Sequence, residues 1–288
     1  MTTVAVVGLG AMGAPIAGRL LDAGHEVVVW NRSPEKAKKL VDRGAPLAEN
    51  PRDAAQQAEA VIIMVADPRA LRDVTEGPDG IAAGVDDPTT VIQMSTVGPD
   101  AVMRLTSSLP EGTPLLDSPV LGSIGEAETG SLKVFVSGEA SLVERWTPLL
   151  SELGEPIHVG PLGAGSTAKL VANSTLFGVL GVLGEALALA EGLGLRREVA
   201  YEVLSGTPVG AQVERRRPAI DSGDYPPRFT LSLAVKDADL VLAAAEIKGL
   251  DLRLAKAARA WLADAEKAGW GERDYAAVLA RIIETASA

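Results

Sequence analysis

Up to about residue 160, the chain alternates between short apolar runs and stretches with helical spacing. The apolar runs are continuous and have polar ends, as in TVAVVGL, EVVVWN, AVIIMV, TVIQMS and PLLDSPV. Such runs are typical of parallel strands that are buried on both faces of a sheet. Segments such as AMGAPIAGRLLDAG and GPDAVMRLTSSL have the spacing of connecting helices. We therefore predict an α/β fold with a doubly wound parallel sheet.

The pattern changes after Gly165, where the strand signals stop. Residues 166–195 read as one long helix, in which Glu185 and Glu191 are the only charges between Leu170 and Leu195. A fully buried helix of a soluble protein explains this run better than a membrane span, because charges near a bilayer centre are costly. We predict two domains, a Rossmann-type domain over residues 1–162 and an all-helical domain over residues 163–288.

Composition and charge narrow the possible functions. The formal net charge of −11 argues against a surface that binds nucleic acid or an anionic membrane. The chain has no cysteine, which excludes disulfides and thiolate metal sites. Its two histidines, His25 and His158, are far apart and lack an acidic cluster at ligand spacing, so we expect no metal site. The first residues lack the basic region of a signal peptide, and we expect a cytoplasmic protein.

A glycine-rich loop follows the first predicted strand directly. In a G-x-G-x-x-G motif that joins a strand to a helix, the first glycine permits a tight turn and the second lets the backbone approach a pyrophosphate. The third lets helix and strand pack closely, and the free N–H groups at the helix start attract the anion. We therefore predict a dinucleotide site here. The residues of the predicted loop are Gly8, Leu9, Gly10, Ala11, Met12 and Gly13.

The residues after the second predicted strand indicate which dinucleotide binds. NAD enzymes usually have an acidic residue there, which accepts a hydrogen bond from the ribose 2′-hydroxyl. This chain has Asn31, Arg32 and Ser33 instead. A carboxylate would repel a 2′-phosphate, whereas an arginine can pair with it, so we expect NADP to be preferred over NAD. A solvated loop in which Ser33 caps the next helix is compatible with the same residues.

The long helix begins with a lysine in an otherwise apolar region. Lys169 and Asn173, within GAGSTAKLVANS, are four residues apart and share one face of a helix. Together they could grip a polarised oxygen, with the lysine as proton donor or acceptor. A surface lysine on the first helical turn is an equally good interpretation of this segment taken alone.

Several motifs together resemble those of the β-hydroxyacid dehydrogenase family. They are VGLGAMGAPIAGRL, STVGP at residues 95–99, DSPVLGSIGEAETGSL at 117–132, GAGSTAKLVANS at 163–174 and FTLSLAVKDADL at 229–240. The resemblance covers essentially the whole chain and is greatest to the 3-hydroxyisobutyrate dehydrogenases and the glyoxylate/succinic semialdehyde reductase branch. It implies a second domain like the C-terminal domain of 6-phosphogluconate dehydrogenase, a site in the cleft between the domains, and a homodimer or homotetramer.

The resemblance also implies roles for individual residues. Lys169 corresponds to the catalytic acid/base, Asn173 to its asparagine partner, and Asp237 to a residue that holds the lysine or closes the site. The residues implied beside the cofactor are Met64, Val65, Thr96 and Lys236. The residues implied around the substrate are Ser95, Thr96, Leu121, Gly122, Ser123 and Phe229.

One residue departs from the family pattern. Many relatives read DAPVSGG or DAPVSGS where this chain reads DSPVLGS, so that Leu121 replaces a serine that contacts the substrate. Either Ser123 and the backbone around Gly122 compensate for the lost hydroxyl, or the pocket takes a less polar substrate.

These observations lead to an NADPH-dependent reductase of small aldehyde or keto acids, acting through Lys169. An imine reductase is the nearest alternative, which Leu121 favours and Lys169 disfavours, since those relatives generally lack the lysine. A non-catalytic cofactor-binding module is a further alternative. The lysine, Asn173 and Asp237 are all retained here, which disfavours that role.

Overall fold

The computed structural model describes residues 1–86 and 88–286. The chain divides into two compact units, Met1–Lys169 and Leu170–Ala288. The strands all lie in the first unit: β1 Thr3–Val7, β2 Glu26–Trp30, β3 Ala60–Ile63, β4 Thr90–Gln93, β5 Leu115–Asp117, β6 Val120–Leu121, β7 Leu132–Ser137 and β8 Gly154–Gly160. The helices that both begin and end there are α1 Gly13–Asp22, α2 Lys38–Val41, α3 Pro51–Gln56, α4 Pro68–Thr75, α5 Pro99–Ser108, α6 Ile124–Thr129 and α7 Ala140–Ser151, with 3₁₀ turns at Pro34–Ala37 and Ile81–Ala83.

The strands form one sheet in the order β2-β1-β3-β4-β5-β7-β6, with β8 paired to β7. The strands from β2 to β5 in this order are parallel, as predicted. An isolated parallel bridge joins Leu47 to Val29 on the side of β2 that faces away from β1. In the doubly wound pattern a further strand pairs with β2 on that side, and here a single bridge takes its place. The sheet is therefore doubly wound, with β2 and β3 on opposite sides of β1.

The sheet is predominantly parallel, as predicted, but two pairings at its far end are antiparallel. Strand β7 runs antiparallel to both β5 and β6, although β8 is parallel to it. Only residues 122–131 connect β6 to β7, and a parallel crossover needs a dozen or more residues. The run PLLDSPV is also split into β5 and β6 around Pro119, which has no N–H to donate to a ladder.

Both faces of the sheet are covered, as the continuous apolar strands predict. Along β1, Val4 and Val6 pack into one buried cluster with Ile16 of α1. The alternate residues Ala5 and Val7 pack into a separate cluster on the opposite face. Side chains alternate along a strand, so all four residues from Val4 to Val7 are in a core, on one face or the other.

Short helices in the first unit were missed by the sequence analysis, although two of them begin with clear capping residues. The side-chain oxygen of Asn50 accepts a hydrogen bond from the Asp53 N–H at 2.8 Å, and α3 follows. Asp67 accepts from the Ala70 N–H at 2.8 Å at the start of α4. Each cap is followed directly by a proline, which is favoured at the first position of a helix.

The second unit is helical, as predicted. Helix α8, Ala164–Gly192, begins in the first unit and continues into the second. The other helices are α9 Arg197–Ser205, α10 Gly210–Ser222, α11 Leu231–Ile247, α12 Arg253–Ala265 and α13 Val278–Ala286, with a π turn at Glu266–Trp270 and a 3₁₀ turn at Tyr275–Ala277. One buried cluster joins Leu180, Leu183 and Leu187 of α8 to α11 and α13.

Helix α8 is not fully buried, contrary to the sequence-based expectation. Leu183 is completely buried, whereas Val171, Val182 and Leu189 have exposed fractions of 62%, 49% and 64%. By length and composition α8 could cross a membrane, but its leucine-rich face packs in the core of the second unit. The helix thus presents a second apolar face that the chain itself does not cover.

Candidate active site

The carboxyl ends of β1, β2, β3 and β4 meet at one edge of the sheet, because these neighbouring strands are parallel. Strand β1 leads into the glycine loop, β2 into Asn31, β3 into Met64, and β4 into Ser95. The predicted cofactor residues of the first unit are therefore gathered at this edge. In doubly wound folds, ligands bind at this edge.

Two glycines of the loop are required by the fold itself. Gly8 has φ near +100°, and a Cβ there would lie 2.2 Å from the Met64 carbonyl oxygen. A Cβ on Gly13 would lie 1.9 Å from the Gly8 carbonyl oxygen. These contacts place the start of α1 directly against the strand ends, and they bring Met64 and Val65 beside the loop.

Gly10 differs from these two glycines, because a side chain at this position would not collide with any described residue. A Cβ built there meets nothing within 4 Å. The space above Gly10 is open and lies beside the N-terminus of α1, where the helix dipole favours an anion. This is the cradle into which a pyrophosphate fits, and the loop therefore suits a dinucleotide.

Asn31 shapes the glycine loop. Its Oδ1 accepts a hydrogen bond from the Leu9 N–H at 2.8 Å, and its Nδ2 donates to the Ser33 carbonyl oxygen at 3.0 Å. The amide of Asn31 thus fixes the loop against the end of β2. Arg32 is exposed, and Ser33 precedes a 3₁₀ turn without making a side-chain capping bond. Of these three residues, Asn31 is the one whose side chain is engaged with the loop backbone.

Ser95 has a similar role at the ends of β3 and β4. Its hydroxyl accepts a hydrogen bond from the Val65 N–H at 2.9 Å and donates to the Ile63 carbonyl oxygen at 3.2 Å. Ser95 is buried, so the structure places it behind the loops that it holds together. The half-exposed neighbour Thr96 is the residue of this pair that a ligand can reach.

The substrate-loop residues predicted from DSPVLGS lie at the end of β6. Leu121 is half-buried, and Gly122 has φ near +144°, where a Cβ would lie 2.6 Å from Leu132 Cδ2. The Ser123 N–H and hydroxyl both donate to the carboxylate of Glu126 in the first turn of α6. The side chain of Ser123 is thus engaged at the start of α6. Leu121 is an apolar group at the position where the family resemblance implies a serine.

In the second unit, Asp237 of α11 brings two predicted site residues together. Asn173 Nδ2 donates to Asp237 Oδ2 at 2.7 Å, and Lys236 Nζ lies 2.5 Å from Asp237 Oδ1. Asp237 and Asn173 are both buried. The buried carboxylate is therefore paired and hydrogen-bonded, as a charge in such a place must be.

Phe229 lies just before α11 and contacts an aromatic cluster. Its ring meets Tyr275 edge to face, with centroids 5.3 Å apart, and Phe177 of α8 meets the same tyrosine at 6.3 Å. The Phe229 N–H donates to Asp274 Oδ2 at 3.2 Å. Phe229 is thus fixed by packing and by its backbone, and it is only half-buried.

Lys169 is half-buried on the second turn of α8, and the first turn of this helix is attached to the sheet. Asp117, at the end of β5, accepts hydrogen bonds from the Ser166 N–H at 2.7 Å and the Ser166 hydroxyl at 2.8 Å. The Ser137 hydroxyl, at the end of β7, accepts from the Gly165 N–H at 2.9 Å and donates to the Asp117 carbonyl oxygen at 3.1 Å. The helix start is thus capped by two strands.

The glycines of GAGSTAK have a physical reason in this attachment. A Cβ on Gly165 would lie 2.4 Å from the Asp117 carbonyl oxygen and 2.5 Å from that of Phe135. Gly163 has φ near +89°, which favours glycine. Only glycine lets the helix start approach the sheet so closely.

Burial raises the pKa of Asp117 to about 6, although hydrogen bonds from Ser166, Ser137 and Gln93 act in the opposite direction. The folded protein therefore holds this proton more tightly than the unfolded chain, whose aspartates titrate near 4. The stability that Asp117 contributes by holding this proton is present in full below pH 4 and is lost as the pH rises through about 6. A charged Asp117 thus costs stability at neutral pH.

Asp117, Ser137 and Ser166 were not among the predicted site residues. The available signal was a carboxylate inside the apolar run PLLDSPV, since a buried charge requires partners. The partners could not be identified from spacing, because Ser166 follows Asp117 by 49 residues.

The fold and the loop together define a Rossmann-type dinucleotide-binding protein, and comparison with known proteins identifies its family. Residues 3–163 match the model of the NAD binding domain of 6-phosphogluconate dehydrogenase. Residues 163–282 match the model of the NAD-binding domain of NADP-dependent 3-hydroxyisobutyrate dehydrogenase. The chain belongs to the β-hydroxyacid dehydrogenase family, whose members are pyridine-nucleotide oxidoreductases.

Individual relatives match the chain over nearly its whole length. It is 35% identical to 3-sulfolactaldehyde reductase of Escherichia coli K12 over 286 residues, covering 98% of this chain and 96% of that protein. The solved structure of Mycobacterium tuberculosis 3-hydroxyisobutyrate dehydrogenase with L-serine has a TM-score of 0.88 at 28% identity, covering 98% and 99% of the two chains. An imine reductase from Pseudomonas sp. has a TM-score of 0.63 at 26% identity, covering 98% and 99%.

The two kinds of glycine in the loop predict different effects of alanine. Gly10→Ala should leave the free energy of unfolding within about 0.5 kcal/mol of wild type but weaken dinucleotide binding, because the methyl group occupies open space at the loop. Gly13→Ala should destabilise the fold itself, since its Cβ would overlap backbone. Denaturant unfolding and titration with NADPH measure both quantities. Equal effects of the two variants on stability would contradict this assignment.

Proposed function

We propose that this protein is an NADPH-dependent reductase of small aldehyde or keto acids, which also oxidises the corresponding hydroxy acids. The observation that carries the proposal is the Asp237 cluster. One buried carboxylate holds the Asn173 amide and the Lys236 ammonium group, and Asn173 is four residues from Lys169 on the same uninterrupted helix. Such fixed polar groups are typical of a catalytic site rather than of a helix surface.

Lys169 acts as the general acid in reduction and as the general base in oxidation. A bound dinucleotide supplies or accepts the hydride. Lys169 gives a proton to the carbonyl oxygen in reduction and removes it from the hydroxyl group in oxidation. Asn173 orients the same oxygen, and Asp237 fixes the rotamer of the Asn173 side chain. The chain's own residues therefore handle the proton and the geometry of the oxygen.

The substrate class follows from the relatives and from the loop at Leu121. Two relatives are named for a sulfonated aldehyde and for 3-hydroxyisobutyrate, which are both small and anionic. In this chain Leu121 presents an apolar group, and the Ser123 hydroxyl is held by Glu126. We therefore propose small aldehyde or keto acids with an apolar substituent near the carbonyl group.

The preference for NADP is supported by the residues after β2. Asn31 is engaged with the loop backbone, and no carboxylate stands at positions 31–33 to accept from a ribose 2′-hydroxyl. Arg32 is exposed there and can pair with a 2′-phosphate. Both features favour NADPH over NADH.

An imine reductase remains the second candidate, and Leu121 is the observation that favours it. An apolar side chain in place of a hydroxyl suits a C=N substrate without a carboxylate. The retained pair Lys169 and Asn173 supports the carbonyl reaction instead. A non-catalytic cofactor-binding module is disfavoured by the same pair and by the Asp237 cluster.

We also propose that the protein is a cytoplasmic homo-oligomer, either a dimer or a tetramer. The exposed apolar face of α8, with Val171, Val182 and Leu189, supports assembly with a second copy of the chain. Recovery of the protein in the membrane fraction after cell lysis would contradict the cytoplasmic location.

Lys169→Ala should lower kcat by about 100-fold or more, because it removes the proposed general acid and base. The rates of NADPH oxidation with glyoxylate, succinic semialdehyde, tartronate semialdehyde and a cyclic imine measure this, alongside NADPH binding, which should be unchanged. Lys248→Ala, an exposed lysine at the end of α11, is the control. Full activity of Lys169→Ala, or turnover of the imine alone, would overturn the proposed reaction.

Arg32→Ala should raise KM for NADPH about tenfold while leaving KM for NADH unchanged, since a charge-assisted hydrogen bond to the 2′-phosphate is lost. Steady-state kinetics with both cofactors provides the measurement. Arg52→Ala, an exposed arginine on α3, should change neither value. If Arg32→Ala affects both cofactors equally, Arg32 does not select NADP.

Leu189→Asp should shift the oligomer toward monomers, because it places a charge on the exposed apolar face of α8. Light scattering at several protein concentrations measures the mass. Leu250→Asp changes a leucine of similar exposure outside α8 and should leave the mass unchanged. A monodisperse wild-type monomer would contradict assembly through this face.

A further inference from the structure

The start of α8 is capped by an aspartate, although a neutral side chain would be enough to attach the helix. The groups that face the Asp117 carboxylate are neutral: Ser166 on α8, Ser137 on β7 and Gln93 on β4. An asparagine has nearly the same shape and would avoid the cost of burying a charge. The chain nevertheless has an aspartate at this position, against the helix N-terminus.

A carboxylate does more for a helix start than a neutral cap. It accepts charge-assisted hydrogen bonds, which are shorter and stronger than neutral ones. It also interacts favourably with the partial positive charge at the helix N-terminus. The Ser166 N–H and hydroxyl both point at this carboxylate, at 2.7 and 2.8 Å. Charge at Asp117 therefore fixes the first turn of α8 more firmly than size alone would.

The first turn of α8 determines where Lys169 lies. Lys169 follows Ser166 by three residues and Gly165 by four, and residues at these spacings lie on one helix face. A rotation or fraying of the first turn therefore displaces the Cα of Lys169 and, with it, the ammonium group. Displacement of a catalytic group by about 1 Å can lower a rate about 100-fold.

We propose that Asp117 is a positioning residue that holds the first turn of α8 in the register that Lys169 needs for proton transfer. The proposal rests on the proposed function of Lys169. Ser137 supports the same turn through the Gly165 N–H, and Asp117 is the charged member of the pair. Asp117 does not touch the substrate and acts only through the helix.

A dependence on pH follows from the burial of this group. Because burial raises the pKa of Asp117 to about 6, its carboxylate is charged above that pH and neutral below it. Positioning of Lys169 should weaken as the pH falls through this value. Wild-type kcat should therefore have an acidic limb near pH 6, and Asp117→Asn should lack that limb.

The test compares Asp117→Asn with Ser118→Ala. Ser118 is the next residue, is equally buried, and its hydroxyl makes no hydrogen bond with any described residue. Asp117→Asn should lower kcat about 10- to 100-fold, with NADPH affinity unchanged. It should also speed amide hydrogen exchange in residues 164–170 about tenfold. Ser118→Ala should change neither quantity. Asp117→Glu keeps the carboxylate but places it differently, so its kcat should stay below that of the wild type.

The outcomes separate this inference from the proposed function. If Asp117→Asn is folded and keeps wild-type exchange in residues 164–170, the capping role is wrong, whatever the enzyme's activity. If exchange rises but kcat and its acidic limb are unchanged, Asp117 caps the helix without positioning Lys169. If Lys169→Ala retains activity, the proposed function fails first, and the exchange result still decides the capping role.

Ser137→Ala keeps the experiment decisive if Asp117→Asn does not fold. It removes the acceptor of the Gly165 N–H and leaves the carboxylate in place. A smaller loss of kcat, with faster exchange in residues 164–170, supports the inference. Wild-type kcat and wild-type exchange in this variant would overturn it.

Discussion

The first N–H groups of α8 have no partners within the helix, and they begin where the helix meets a buried sheet. Unpaired backbone donors in such a place are costly, so acceptors must be supplied from elsewhere in the chain. Strands β5 and β7 supply them through Asp117 and Ser137. This requirement explains why the strand end carries a carboxylate, why Gly165 has no side chain, and why Lys169 lies where it does.

The same requirement governs the loops at the sheet edge. Asn31 satisfies the Leu9 N–H, and Ser95 satisfies the Val65 N–H. Both side chains are predicted to contact a ligand, and in the structure each also holds the backbone of a loop in place. Their neighbours Arg32 and Thr96 are more accessible, since Arg32 is exposed and Thr96 is half-exposed. At this edge of the sheet, some side chains hold the loop backbone in place, and others on the same loops are accessible to solvent.

Much of the architecture was predictable from local patterns. The continuous apolar strands predict a sheet that is covered on both faces, and the glycine loop predicts the β1–α1 turn. The antiparallel β7 was not predicted, because strand direction depends on the length of the connection at residues 122–131. Helices α3 and α4 were missed although Asn50 and Asp67 cap them, since both helices are too short for a periodic pattern.

The site was less predictable than the fold. Lys169 and Asn173 could be paired from their spacing, because both lie on one helix. The bond between Asn173 and Asp237 joins residues 64 apart, and no local pattern encodes it. The exposed face of α8 could not be predicted for a different reason. Both faces of that helix are apolar, so the sequence alone does not show which one is packed.

Continuity of α8 has an evolutionary consequence. Lys169 and Asn173 keep their separation through the helical repeat alone, whereas Leu121 lies at the end of β6 and Phe229 just before α11. Mutations in those other segments need not disturb the pair on the helix. Under the proposed function, proton transfer and substrate choice are therefore encoded in separate parts of the chain, and new specificities can arise in descendants that inherit the same chemistry.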